Sequence, residues 1–415
     1  MIKNLSYSML ALTLTTAGVG VAHAADNRTQ AMGGAGVANG NYYQAASLNP
    51  ALVARYEDRD RLGIILPAIN FEVADQDRIF DSVDDFQDAF DNLERLIRQA
   101  EQGGVDEAQL QAAREDVAAR FNDISGALVG NINGQVAVTL LNRHASAQFF
   151  ANANLEAFGA TRLDANDVDI FLNAEDLDAL NEFTSEGFVV GRLITDYGVA
   201  LGRKFNVAGR DFYLGVTPKI QEIESFTYFS ALSDIDEDNF DSSEFRNSET
   251  SFNFDLGFSM TLTQRISAGL VLRNMVSNEV VGSPIYSRRV DDIVTLDYKV
   301  SRQAVAALGY RTMRMSLSLD VDLLAQNYLG LTDVSQLQVF GEVRETQFVR
   351  AGYEYALGRW AQLRLGYRHD LEGTYDDAYT AGLGFSPFGR VHFNVSASYI
   401  DDRSFGAGAQ LMFTF

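Results

Sequence analysis

Two runs near the end of the chain decide the fold: Val391-His392-Phe393-Asn394-Val395-Ser396-Ala397-Ser398-Tyr399, and then Phe405-Gly406-Ala407-Gly408-Ala409-Gln410-Leu411-Met412-Phe413-Thr414-Phe415. Bulky or apolar residues recur at every second position. Alternation of this kind puts successive side chains on opposite faces of an extended strand, so each run has one oily face and one wet face. The pattern spreads upstream. Tyr379, Ala381, Leu383 and Phe385 alternate with Thr380, Gly382, Gly384 and Ser386. Leu363, Leu365 and Tyr367 alternate with Arg364, Gly366 and Arg368; Met315, Leu317, Leu319 and Val321 with Ser316, Ser318, Asp320 and Asp322; Phe252, Phe254, Leu256 and Phe258 with Asn253, Asp255, Gly257 and Ser259.

A soluble sandwich alternates too, so length and connections make the choice. Segments of ten residues or more exceed the ~5–6 of ordinary strands and match the ~9–11 of a tilted membrane crossing. Connections at 206–210, 263–265, 357–359 and 388–390 are tight, whereas 160–186, 230–248 and 278–292 are long and mostly acidic. Short turns on one side and long loops on the other describe a membrane barrel. Candidate strands lie near 62–73, 133–143, 145–159, 187–203, 211–226, 249–262, 266–278, 293–311, 313–325, 336–357, 360–370, 377–387, 390–400 and 404–415. The fold class is therefore all-β: a transmembrane antiparallel β-barrel of about fourteen strands occupying 62–415. Phe (28) and Tyr (17), against a single Trp, supply its aromatic girdles.

Composition sets further bounds. With 33 Lys and Arg against 56 Asp and Glu, the chain has no cationic surplus for phosphate, which excludes nucleic acid as a partner. Cys is absent, so thiol catalysis and Cys-ligated metals are excluded. Residues 1–24 read as a secretory signal peptide. Lys3 is the only charge before Asp26, Leu5 to Val21 carries none, and Ala22-His23-Ala24 is a small-x-small cleavage site. No later stretch reaches the ~18 apolar residues of a spanning helix.

The segment 25–61 opens with Ala31-Met32-Gly33-Gly34-Ala35-Gly36 and continues to Leu48-Asn49-Pro50-Ala51-Leu52. Here the chain resembles the FadL/TodX family of outer-membrane transporters for hydrophobic molecules. That resemblance implies a hatch folded inside a fourteen-stranded barrel, with Gly33, Gly34, Gly36, Asn49, Pro50 and Ala51 as its marker residues. It also implies the bacterial outer membrane as location, its lipid as partner, and hydrophobic small molecules as cargo. The terminal Phe415 resembles the signal read by the barrel-assembly machinery. A group with the same opening comprises TraF-like plasmid-transfer proteins, and the chain is similar to that group above all; this implies a transfer-apparatus protein as an alternative partner. Residue physics fits a plug: glycines let backbone pass close to a wall, and Pro50 holds Asn49 out of the α region.

Residues 80–125 change period. Val83, Phe86, Phe90, Leu93, Ile97 and Ala100 step by three and four, a helical seam. Gly103-Gly104 ends it, Asp106 with Gln109 reads as a cap, and Leu110, Ala113, Val117, Phe121 and Ile124 continue on a second helix. An antiparallel helical hairpin is expected between the first two strands, either stabilising the rim or docking a partner.

Charges facing lipid would cost about 2–4 kcal/mol each for basic residues at mid-depth, so Asp255, Arg273, Asp320, Asp322, Arg350, Glu354, Arg364 and Arg368 should line the lumen. They read as an ion-pair network or as contacts for a carboxylate or phosphate. Pro67 and Pro218 fall inside strands and cannot donate to the ladder, so each should mark a bulge or gap, a candidate wall defect. In loop 160–186, Asn173 is expected to cap a turn whose Leu177, Leu180 and Phe183 form a greasy capture surface. Asp234, Asp236, Asp238, Asp241 and Glu244 lack the Gly and Glu of a calcium loop and read as solvated. No nucleophile elbow, zinc-protease helix or P-loop is present, so neither an enzyme nor a cofactor is expected.

Overall fold

The computed structural model describes residues 26–56, 60–75, 78–124, 126–235, 245–333 and 344–415. Within them the alternating segments become fourteen antiparallel strands that close on themselves. They are β1 (Leu62–Asp75), β2 (Ala127–Leu140), β3 (Ser146–Arg162), β4 (Glu186–Val207), β5 (Arg210–Ala231), β6 (Arg246–Thr261), β7 (Ile266–Arg273), β8 (Gln303–Arg311), β9 (Met315–Asp322), β10 (Phe348–Ala356), β11 (Ala361–Asp370), β12 (Ala378–Phe385), β13 (Val391–Asp401) and β14 (Ser404–Thr414). Each strand pairs with its neighbour in sequence, and β14 closes on β1 from Gly63↔Thr414 to Ala74↔Ser404. Closure leaves no open edge, which an unsolvated backbone requires.

Burial is inverted relative to a water-soluble domain. On β13, Asn394 and Ser396 are 4% and 6% exposed, whereas Phe393 and Tyr399 are 43% and 51% exposed. The polar face points inward and the apolar face outward, an arrangement that suits lipid and not water. Among the described residues no helix is long and apolar enough to cross a membrane; the strands do the spanning.

The two ends of the barrel differ. At one, β4 turns into β5 through Ala208 and Gly209, both at positive φ (52° and 74°), which suits a two-residue hairpin. At the other stand the long connections. Between β1 and β2 rises the helical hairpin, α1 (Ile79–Ala100) and α2 (Glu107–Asp123). Gly103 (φ 77°) terminates the first helix, and the Asp106 side chain accepts from Ala108 N–H to start the second. Its core of Phe86, Phe90, Leu93, Val117 and Phe121 also takes in Phe171, Leu180 and Phe183 from the β3–β4 connection.

That last contact corrects an expectation. Leu180 and Phe183 are 0% and 1% exposed, packed against the hairpin, and so form no open capture surface. The turn Leu177–Leu180 is capped by Asp176, not Asn173, because Asp176 precedes it directly and accepts from Ala179 N–H. The strand expected at 293–311 begins at Gln303; its first residues fold into the barrel mouth instead. The strand expected at 266–278 stops at Arg273, where Asn274 turns to φ 51°. The strand expected from 336 is described from Phe348, and residues 334–343 lie outside the described set. So do residues 1–24, the expected signal peptide, and residues 236–244 of the acidic loop.

Candidate functional site

Residues 26–56 lie inside the barrel and fill the end that carries the tight turns. A helical turn at Asn27–Gln30 starts with the Asp26 side chain accepting from Arg28 N–H. The glycine run follows with Gly33 and Gly34 at φ 68° and 88°, conformations closed to most side chains. Asn49 is extended (φ −157°) before Pro50, and its side chain accepts from Ala51 N–H to cap the last turn, Pro50–Ala54. Asn49 Nδ2 donates to the carbonyls of Val37 and Phe258, tying the segment to itself and to β6.

The wall is shaped to this hatch by glycines. A Cβ on Gly202, Gly215 or Gly257 would strike Pro50, Ala51, Val53 or Asn49, and these three glycines sit opposite one another on β4, β5 and β6. Gly269 and Gly309 leave room for Ala38 and Asn39, Gly352 and Gly366 for Met32 and Gly33, Gly382 for Ala31, and Gly408 for Asn27. The sequence reading placed several of these on the wet face without assigning them a purpose. Glycine at one level of strand after strand was the available signal.

Polar bonds complete the fit. The Asp320 carboxylate accepts from Gly36 N–H and Val37 N–H, both at 2.9 Å, through one oxygen. Arg273 donates to the carbonyls of Ser47 and Leu48 (3.1 and 2.7 Å). Arg311 reaches the Asn39 carbonyl, and Arg55 of the hatch holds the Ala38 carbonyl. Arg28, 1% exposed, pairs bidentately with Glu354, which also pairs with Arg364 (Nε–Oε2 2.8 Å) across the β10–β11 register. Arg368 pairs with Glu72, and Arg350 bidentately with Asp322.

All eight sequence-designated lumen residues therefore face inward, in two roles. Asp320, Arg273 and Glu354 grip the hatch, whereas Asp322, Arg350, Arg364, Arg368 and Asp255 pair along the wall, Asp255 with Lys219 at 3.4 Å. The reading missed Arg28, Glu72, Asp196, Lys219, Glu156 and Arg192. The last two pair at 2.8 Å, and Glu72, between Phe71 and Val73, was legible from the same alternation. Among the described residues no cluster of three or more ligating side chains suits a metal ion.

The prolines mark two different irregularities. Around Pro67, β1 carries one extra residue against both neighbours: the pairs run Ile65↔Ala137 then Ala68↔Gln135, and Leu66↔Leu411 then Ile69↔Ala409. Pro218 shifts nothing. It pairs opposite Phe254 on β6, while the ladder to β4 skips from Gly198↔Lys219 to Leu201↔Val216.

Between the hatch and the mouth at the long-connection end lie small cavities, among them two of about 30 and 50 Å³. Arg273 lines both. The first also has Asp320, Asp322 and Arg350, and the second Asn133, Asn152, Asn154, Lys219 and Asp255. Polar spaces of this size hold a few waters and nothing larger.

The mouth at the long-connection end is closed by apolar and aromatic side chains. Phe158, Phe188, Val190 and Phe229 from β3, β4 and β5 pack against Val294, Leu296, Tyr298, Tyr328, Leu329 and Leu331 from connections. Burial pushes the Tyr298 phenol up to about 12 and raises those of Tyr328 and Tyr375 as well. A raised folded-state value means that stability is complete below the free phenol value of about 10 and is lost as pH climbs through 10 to 12. Phenolate absorbance at 295 nm should accordingly show a late-ionising set of tyrosines that titrates together with loss of the mouth's near-UV circular dichroism.

A sequence-family model described as "F plasmid transfer operon, TraF, protein" matches residues 46–322. No curated protein sequence matches the chain. Among solved structures, the toluene transporter TbuX of Ralstonia pickettii is similar at TM-score 0.53 and 11% identity, covering 96% of this chain and 99% of that one. A FadL homologue of Pseudomonas aeruginosa gives 0.51 and 13%, and the P. putida toluene transporter TodX 0.50 and 12%, each with the same coverage. At such identities the likeness is one of fold: a plugged, FadL-like barrel.

Proposed function

Since the chain belongs to the family of the F plasmid transfer operon protein TraF and has a FadL-like barrel, we propose that it is an outer-membrane channel through which hydrophobic or amphipathic small molecules pass when the hatch rearranges. The observation that carries this reading is how the hatch is held. Beside small apolar clusters such as Val37, Leu48 and Leu52 with Ala200, Val271 and Val305, its contacts to the wall are hydrogen bonds and ion pairs set among glycines, such as Asp320 to Gly36 and Val37 or Arg273 to Ser47 and Leu48, and water can take the place of these backbone hydrogen bonds. The apolar exterior fits lipid of the outer membrane, and Phe415 at the end of β14 is the feature the assembly machinery would read. The toluene transporters of like fold support the choice of cargo class without fixing the cargo. Arg350 and Arg368 are already paired with carboxylates, which favours a structural network over an anion contact at those positions.

The test is uptake of radiolabelled toluene and of a medium-chain alcohol into proteoliposomes carrying the intact chain. Uptake several-fold above empty vesicles is expected; equal rates would remove the transport reading. A second reading has its own observation. The hairpin α1–α2 owns a separate aromatic core, and its α1 surface carries Asp81, Asp84, Asp85, Asp88 and Asp91, which suits a docking surface for a transfer-apparatus protein. A barrel silent in uptake that loses a co-purifying partner when 80–125 is removed would favour it.

A further inference from the structure

The six tight turns carry arginines that neither the hatch nor the lumen uses: Arg143 between β2 and β3, Arg210 between β4 and β5, Arg265 between β6 and β7, Arg314 between β8 and β9, Arg359 between β10 and β11, and Arg390 between β12 and β13. All six are exposed, and none of their side chains has a hydrogen-bond or ion-pair partner among the described residues. The one acid at these turns, Asp211, is taken by Lys204 at 2.8 Å. The chain as a whole has a net charge of −23, and the opposite end holds acids such as Asp81, Asp85, Asp88 and Asp91 of α1, so the two signs are segregated along the barrel. The turns are also laced into a row. Arg311 N–H donates to the Arg265 carbonyl at 2.8 Å, Ala356 N–H to that of Arg314 at 2.7 Å, Ser386 N–H to that of Trp360 at 2.7 Å, and Thr414 N–H to that of Arg390 at 2.9 Å. Successive turns therefore stand every second strand along the rim, roughly 10 Å apart.

Apolar side chains stand beside the arginines in the three turns from β8 to β13. Met313 precedes Arg314, Leu357 and Trp360 flank Arg359, and Phe388 lies two residues before Arg390. Met313 is 100% and Phe388 81% exposed. Trp360 stacks on Phe385, centroids 6.4 Å apart, and Phe385 continues the outward row of Tyr379, Ala381 and Leu383. The patch thus runs onto the lipid-facing side of the wall. A guanidinium holds a phosphate through two N–H groups at once, and an indole ring settles where headgroups meet acyl chains. We propose that the tight-turn rim is a binding ring for anionic phospholipids of the leaflet it meets, with Arg314, Arg359 and Arg390 on headgroup phosphates and Met313, Leu357, Trp360 and Phe388 among the upper acyl chains. Basic side chains without carboxylate partners favour heads of net negative charge over zwitterionic ones. An acidic protein or free phosphate would answer the arginines and leave the apolar tips in water. The ring stands whatever the barrel carries.

The chain has a single tryptophan, so Trp360 reports from the ring itself. The intact chain is reconstituted in phosphatidylcholine bilayers that contain either brominated phosphatidylglycerol or brominated phosphatidylcholine, and the relative affinity of the two lipids is read from quenching of Trp360 fluorescence. A preference of about fivefold for phosphatidylglycerol is expected at low salt. It should fall to near unity in about 0.5 M salt, where exposed charges are screened, and in the Arg314→Gln/Arg359→Gln/Arg390→Gln protein. A change of equal charge at α1, Arg78→Gln/Arg95→Gln/Arg98→Gln, should leave it in place. Both triple variants should keep the heat-dependent gel shift of a folded barrel, and the salt arm decides the matter should the first fail to insert. Equal quenching by the two lipids, a preference that survives the loss of Arg314, Arg359 and Arg390, or one lost with the α1 arginines would overturn the proposal. So would a preference erased by inorganic phosphate at constant ionic strength, which would make the ring a phosphate site. Binding of polyglutamate to the wild type and not to the rim variant, in place of any lipid preference, would overturn it in favour of an acidic protein.

Discussion

In the Gly366→Leu protein the N-terminal segment is expected outside the barrel. A side chain at this position of β11 would run into the backbone of Met32 and Gly33, and backbone cannot step aside as a flexible side chain does. Overpacking a fitted interior costs about 1–3 kcal/mol when side chains absorb it, and a clash with main chain belongs at or above the upper end. Three kcal/mol is roughly a hundredfold in the ratio of seated to unseated hatch. The barrel itself should survive, because Gly366 pairs with Gly352 and Thr380 through backbone bonds that the substitution leaves alone. The measurement is limited proteolysis of the purified protein: residues 26–56 should be cut rapidly in the variant and slowly in the wild type, while both keep the heat-dependent gel shift of a folded barrel. Equal protection would mean that the hatch seats elsewhere.

Asp320→Ala is expected to raise cargo uptake about tenfold without a matching rise in ion conductance. The carboxylate accepts two backbone N–H groups of the hatch through one oxygen. Hydrogen bonds to a charged group are each worth about 1.5–3 kcal/mol. Against that stands relief: the other oxygen of Asp320 is buried without a hydrogen-bond partner, and the variant no longer buries it. A net loosening of about 1.5 kcal/mol remains, near one decade in the open population. Conductance should lag because the apolar and aromatic side chains that close the mouth at the long-connection end oppose ions more than apolar cargo. Toluene uptake and planar-bilayer current on the same preparation give the two numbers.

The architecture was readable from side-chain alternation because a membrane barrel enforces it more strictly than a soluble sheet does. Each residue of a spanning strand meets either lipid or lumen, and His392, Asn394 and Ser396 could face only one way. The change of period at Val83 was equally plain, since a helix must bury a seam whatever the solvent outside. What could not be read was contact between distant segments. Arg28 carries no sign that Glu354 waits across the lumen, and Leu177, Leu180 and Phe183 look alike whether they face water or a helical cap. The connection 274–302 between β7 and β8 defeated the reading for a related reason. Tyr298 and Val300 alternate as a strand does and lead straight into the real strand β8, so local pattern assigned them to the wall. Only the left-handed turn at Asn274 and the early end of β7 separate the two, and Asn is a weak mark of such a turn.

The close fit between hatch and wall also constrains the order of assembly. The hatch is bonded to strands from both ends of the sequence: Asn27 to Asn70 on β1 and to Ser396 on β13, Gly33 to Thr380 on β12. A plug shaped to bare backbone on so many strands seats most readily while the sheet is still open. Residues 26–56 are best placed in the curl of the sheet before the last strand zips to the first, a mandrel around which the final staves are drawn.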